Sequence, residues 1–213
     1  MFNLRIGLMK VNVGTFGMSL ICLHPIRNVH RQCSYERCNS DTGLVLESPS
    51  AMLGYLCGPI EFAEDGGRLW RKKLAPFLKD QLGHRVYDPA EDELKNLTAE
   101  EAAHFREWKT NDIERFRRTV RKIIAFDLDL IENKADYVIC FWPSANAQSG
   151  GTPAELTVAY RKGIPVYLVT PIALEEVSGW MLACSDHLFK SIEELKEFLT
   201  LKFSREKQTQ LWK

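Results

Sequence analysis

The sequence predicts a doubly wound α/β domain: a parallel sheet covered on both faces, giving three layers, α/β/α. Two observations predict it. From Met52 onward, short apolar runs alternate with stretches of helical period. That alternation is the pattern of a parallel sheet built from strand–helix–strand units. The apolar runs also end in turn residues, as buried strands do. At 213 residues the chain holds one such domain and an extension.

The elements follow in order. Met52 to Cys57 is a short apolar run closed by Gly58-Pro59, a buried strand and its turn. Leu69, Trp70, Leu74, Phe77, Leu78 and Leu82 fall on one helical stripe, and Gly83 suits the helix end. His84 to Tyr87 reads as a second strand leaving through Asp88-Pro89. Thr98 and Glu101 form a capping box that opens one long charged helix to about Ile124. Its Lys and Arg residues are interspersed with acids, so it reads as a solvated face rather than a nucleic-acid surface. Ala135 to Trp142 is the strongest strand, and Pro143 ends it. A helix follows from Ser149 to about Lys162, with Gly163 closing it. Ile164 to Val169 is the next strand, and a capping box of Ser191 and Glu194 opens the last helix.

The domain is expected over residues 52–202, with an extension over 1–51 and a tail over 203–213. Met1 to Tyr35 contains no Asp or Glu and four basic residues, Arg5, Lys10, Arg27 and Arg31. Three readings compete: an organelle transit segment, a weak secretory signal, or an extension outside the domain, with Met52 as an alternative start. Asn39 to Ala51 reads as linker.

Composition excludes several classes. Lys plus Arg is 28 and Asp plus Glu is 28, so the net charge is zero and no overall basic surface serves nucleic acid. No apolar run approaches the roughly 18–20 residues needed to span a bilayer. The six cysteines lack zinc-knuckle or C-x-x-C spacing. Reduced thiols in the cytoplasm are the simplest reading, and no cofactor or metal is expected.

In open α/β sheets, ligands bind beyond the carboxyl ends of the strands. Gly58, Pro59 and Ile60 are expected there, with Asp88 and the segment Ser144 to Glu155. Gly150 and Gly151 let a backbone approach a ligand closely. Thr152 reads as N-cap and Pro153 as the first helical residue, which puts Glu155 third. Two readings of Glu155 stand. It completes a capping box with Thr152, or it is a carboxylate held ionised by the helix N-terminus and aimed at a ligand. Ser149, Gly150 and Gly151 are candidates to receive a 5'-phosphate. Trp142 is a candidate to stack on a base, or is core. Asp136 starts its strand at the end away from the site, so a structural role is expected.

Tyr55-Leu-Cys-Gly-Pro-Ile60 resembles the first strand and loop of the nucleoside 2-deoxyribosyltransferases and the related deoxynucleoside 5'-monophosphate N-glycosidases. Asp127-Leu-x-x-Ile131, Asp136-Tyr-Val-Ile and Gly151-Thr-x-x-Glu155-Leu-x-x-Ala159-x-x-x-Gly163-x-Pro165-Val are similar to their second half. The resemblance runs from about Leu53 to Leu199. It implies a flavodoxin-like fold, cleavage of an N-glycosidic bond in a nucleoside or nucleotide, and a homo-oligomer. It implies Glu155 as a nucleophile that forms a glycosyl ester at C1'. Asp127 would contact the reacting nucleoside, and Tyr55 would hold the nucleophile. The partners implied are a nucleoside or nucleotide and a free nucleobase. Two positions depart from the pattern. Ser149 stands where the transferases carry an aspartate, and Glu61 where the glycosidases carry an arginine. Transfer to another base and hydrolysis both stay open. Outside this reading stand a phosphoribohydrolase of the cytokinin-activating type, which lacks its Pro-Gly-Gly here, and a non-catalytic nucleotide sensor.

Overall fold

The computed structural model describes residues 51–92 and 96–210, the side chains of 205–210 apart. The expected extension lies outside the described residues but for Ala51, as do the last three residues.

Five strands form one parallel sheet in the order β2-β1-β3-β4-β5. They are β1 (Leu53–Cys57), β2 (Arg85–Tyr87), β3 (Tyr137–Phe141), β4 (Val166–Val169) and β5 (His187–Phe189). This is the flavodoxin-like order, which reverses between β1 and β3 and opens a crevice there. Register fixes what meets across that point: Tyr55 pairs with Tyr87 on one side and Val138 on the other, and Cys57 pairs with Cys140.

The two faces carry separate cores. Tyr55, Cys57, Val138, Cys140 and Leu168 pack on one face against Leu130 and Ile131 of α3 (Ile113–Asn133), Leu156 and Ala159 of α4 (Gly151–Lys162), and Met181 of α5 (Gly179–Ala183). On the other face, Leu56, Ile139, Tyr167 and Val169 pack against Trp70 and Leu74 of α1 (Arg68–Pro76) and Leu195, Leu199 and Phe203 of α6 (Ile192–Gln210). Residues two apart on a strand share a face, so Tyr55 and Cys57 look toward α4 while Leu56 looks away.

Three elements differ from expectation. The stripe from Leu69 to Leu82 is not one α-helix. Pro76 has no N–H to donate, and α1 passes there into a π-turn over Phe77–Gln81. The long helix opened by Thr98 is two, α2 (Ala99–Asn111) and α3. Asp112 leaves helical geometry (φ −148°, ψ 78°), and its carboxylate accepts from Arg115 N–H at 3.0 Å, so it caps a new helix. The pair forms a hairpin bridged by Arg115–Glu100 and Lys122–Glu101, each at 2.6 Å, which satisfies the charged face as expected. Asp127 therefore lies on α3 rather than in a connection. The edge strand β5 and α5 are the third difference. β5 has three residues and buries only Phe189, too little for any periodic signal.

The Thr98–Glu101 capping box forms with both bonds. At α6 Ser191 accepts from Glu194 N–H at 3.1 Å, but the Glu194 carboxylate reaches Lys190 N–H at 2.7 Å instead of the cap residue. Asp136 is structural, as expected: its Oδ2 accepts from Leu53 N–H at 2.7 Å, at the end of the sheet opposite the crevice. No helix among the described residues is long and apolar enough to cross a membrane.

Candidate functional site

The helix that carries Glu155 begins at Gly151, two residues earlier than the expected first helical residue, Pro153. Gly150, not Thr152, is the N-cap, and Ser149 just before it supplies the side-chain acceptor: its Oγ accepts from Thr152 N–H at 3.1 Å. Thr152 is buried, and its hydroxyl is shared with Ser149 Oγ at 2.8 Å. Glu155 consequently sits fifth in the helix, past the unpaired N–H groups of the first turn. The expected Thr152–Glu155 capping box does not exist, and the helix terminus is not what holds the carboxylate.

Two side chains of β1 hold it instead. Tyr55 Oη donates to Glu155 Oε1 at 2.8 Å, and Cys57 Sγ donates to Oε2 at 2.8 Å. Both donors are fully buried. Burial first, then the charges of Glu155 and Asp127, push the Tyr55 phenol far above its ordinary ionisation range. Burial, then the neighbouring Cys140 thiol, then Glu155, push the Cys57 thiol up as well. Both groups therefore stay protonated and donate.

The arrangement extends to a second tyrosine. The Tyr87 ring lies 5.3 Å from that of Tyr55. Its hydroxyl lies 3.2 Å from Asp127 Oδ1 and 3.1 Å from Asp92 Oδ2. Burial, then Asp127 and Asp92, push its ionisation to higher pH too. Asp127 itself is buried.

Glu155 and Asp127 open onto one cavity of about 370 Å³. Gly58, Ile60, Ser149, Gly150, Gly151 and Thr152 line it, and so do Val120 and Ile123 of α3. Phe62 and Ile124, 58% and 51% exposed, stand at its mouth. A volume of this order and a largely apolar lining with a few convergent carboxylates are the features of a small-molecule site. A second depression of about 710 Å³ adjoins it and shares Ile60, Glu61 and Ile123. Lys109 pairs with Glu61 at 2.6 Å beside this junction.

The floor of the site is set by a buried guanidinium. Arg71, 0% exposed, donates to Gly67 O at 2.6 Å, Gly58 O at 3.1 Å and Leu56 O at 3.3 Å. Its Nε lies 3.3 Å from Asp88 Oδ1, close enough for an ion pair but not angled as a hydrogen bond. Burial lowers the Arg71 ionisation, and Asp88 is the largest effect opposing that. Gly58 and Gly67 permit the loop: at φ 152° and φ 70° a side chain is strained, and a Cβ would strike Phe141 O or Pro59 O.

Eight of the twelve residues expected at the site thus line the cavity. Tyr55 lies behind Glu155 in the core. Asp88 is engaged by Arg71 and borders a separate depression, with its Oδ1 also accepting from Ala90 N–H at 2.8 Å. Pro59 borders another depression beside Trp70. Trp142 is 8% exposed and packs in the core, the second of its two readings. Sequence reasoning did not single out Cys57, Tyr87 or Arg71. Cys57 was within reach, because it lies two residues from Tyr55 on the same strand face. Tyr87 required the strand pairing, and Arg71 looked like one more charge on a helix. Among the described residues, no cluster of His, Cys, Asp and Glu has the form of a metal site.

No family model matches the sequence, and no curated protein does. Two of the solved structures that this chain is similar to follow. One is a conserved protein from Enterococcus faecalis V583, at 16% identity and TM-score 0.46, covering 72% of this chain and 99% of its own. The other is the CMP N-glycosidase BcmB of Clostridium botulinum, at 16% identity and TM-score 0.41, covering 70% of this chain and 98% of its own.

Proposed function

We propose that the protein cleaves the N-glycosidic bond of a nucleoside or nucleotide, with Glu155 as the nucleophile. The observation that supports this most is the double clamp on Glu155. A carboxylate with a buried donor on each oxygen, opening onto a cavity, has a fixed plane and a fixed direction of attack.

The chemistry runs in two steps. One Glu155 oxygen bonds to C1' of the sugar while the C1'–N bond breaks, and the electron pair leaves with the base, which takes up a proton. Positive charge builds on the sugar as the bond breaks, and the carboxylates of Glu155 and Asp127 stabilise it. Asp127 contacts the base or passes it the proton, with the Tyr87 hydroxyl orienting Asp127. Tyr55 holds Glu155 through Oε1. In the second step a nitrogen of another base, or water, attacks C1', the C1'–O bond breaks with its electron pair returning to the Glu155 carboxylate, and the attacker's proton passes to Asp127. The first outcome is sugar transfer, the second hydrolysis. The apolar wall of Ile60, Val120 and Ile123 suits a base. The backbone from Ser149 to Gly151 suits the sugar and its 5' substituent. The exposed Phe62 and Ile124 suit closure of the mouth by a second copy of the chain. Cys57, Cys140 and Cys184 are free thiols, which suits a cytoplasmic protein that needs no cofactor for this chemistry.

A product assay tests the proposal. The protein and its Glu155→Ala variant are incubated with deoxynucleosides, ribonucleosides and their 5'-monophosphates, each with and without a second free base. Base exchange lost in the variant supports transfer, and base release without exchange supports hydrolysis. No product from either protein across the panel would overturn the proposal and favour a nucleotide sensor.

A further inference from the structure

Cys57 is a thiol where either a plain hydrophobe or a hydroxyl would fill the strand position, and of the polar groups around it, the Thr152 carbonyl, the Cys140 thiol and the Glu155 carboxylate, only the last belongs to the proposed chemistry. Its Sγ lies 2.8 Å from Glu155 Oε2, against 3.8 Å from Thr152 O. It is wholly buried, beside Cys140 in register on β3. Tyr55, two residues earlier on the same face, takes the other oxygen, Oε1. A carboxylate held at one oxygen still swings about that bond; held at both, it does not. We propose that Cys57 is a positioning residue, whose thiol fixes Glu155 Oε2 and so sets the plane from which Glu155 acts.

The proposal rests on Glu155 being the nucleophile, and it adds a second arm to the clamp. The thiol suits the task because it is small, apolar on its remaining surface, and only a weak donor. It orients the carboxylate oxygen without competing strongly for the lone pair. Burial keeps it protonated, so it donates and does not itself attack substrate. Its contribution is to geometry. It is felt when C1' must be approached and little when substrate merely binds.

Two measurements test this, one independent of turnover. In the infrared, the S–H stretch of the wild-type protein is compared with that of Glu155→Ala, and Cys57→Ser identifies the Cys57 band. Removing the acceptor is expected to move the Cys57 band to higher frequency; an unmoved band would overturn the proposal. In the product assay, Cys57→Ala is expected to lose about tenfold in kcat at unchanged KM, the scale of one hydrogen bond made useful in the transition state. Cys57→Ser, which keeps a donor, is expected to recover most of that loss. Wild-type kcat in Cys57→Ala, or a serine variant no better than alanine, would overturn the role. If the wild-type protein cleaves nothing, the proposed function fails by itself, and the infrared comparison still decides whether Cys57 holds Glu155.

Discussion

Arg71→Met tests whether one buried guanidinium holds the floor of the site. The substitution keeps most of the volume and removes the charge. It removes a donor from three carbonyls, those of Gly67, Gly58 and Leu56, which now accept from Arg71. It also removes the Arg71 charge from beside Asp88, 14% exposed. A buried acceptor left unpaired costs about 1–3 kcal/mol. Removing one partner of a buried ion pair costs about 3–5 kcal/mol. These overlap, since water reaches some of the freed groups, and methionine regains part of the difference by packing on Trp70. The net expectation is a loss of about 4 kcal/mol. Urea unfolding measures it directly, and for a domain of this size it corresponds to a fall of roughly 8–16 °C in Tm. Arg71→Lys should fall between, because an ammonium keeps the charge but cannot serve the same fork of acceptors. A loss under about 1 kcal/mol in Arg71→Met would refute the reasoning, and the loop from Gly58 to Gly67 would owe its shape to its glycines alone.

Three further outcomes are expected. Ser149→Ala removes the acceptor for Thr152 N–H and should cost about 1 kcal/mol by urea unfolding, the usual worth of a helix cap; no loss would mean the α4 start is held by packing. Stability should fall on the alkaline side. Tyr55, Tyr87 and Tyr137 are all raised above the ordinary value of 10.0, burial being the first cause in each. The unfolded chain releases these protons near pH 10 while the folded one keeps them. Their stabilisation is therefore complete below that pH and declines above it by about 1.4 kcal/mol per pH unit for each tyrosine; a flat stability profile between pH 9 and 11 would count against their burial. Tyr87→Phe removes the hydroxyl beside Asp127 and Asp92 and should lower kcat about three- to tenfold, measured as base release, with a smaller change in KM; equal kcat would detach Tyr87 from the site.

The alternation of strands and helices was legible from a few segments, while the flavodoxin-like strand order came only with the family resemblance. Gly58-Pro59 after one buried run and Gly150-Gly151 after another mark the two strand ends that flank the crevice. Glu155 was legible as a residue but not as an environment. Local spacing offered a capping box with Thr152, and the real partners lie a hundred residues away, on a strand whose alternation carries Tyr55 and Cys57 to one face. Asp112 was invisible as a helix break because the apolar period continues across it; only its backbone and its bond to Arg115 N–H reveal the second start. Trp142 and Asp88 each carried two readings that sequence alone could not choose between. Both sit at strand ends, where ligands bind, yet packing claims the first and Arg71 the second. Burial and ion pairing depend on the partner elements, which no window of the sequence contains.

The most direct test of the central claim is to trap the sugar on the protein. Wild type and Glu155→Gln are incubated with the nucleoside or nucleotide that the product assay selects, quenched in acid, digested, and read by mass spectrometry. The account predicts a glycosyl adduct on the peptide containing Glu155 in wild type, and neither adduct nor product in the variant. Product formation that survives in Glu155→Gln, or an adduct at another side chain, would contradict it.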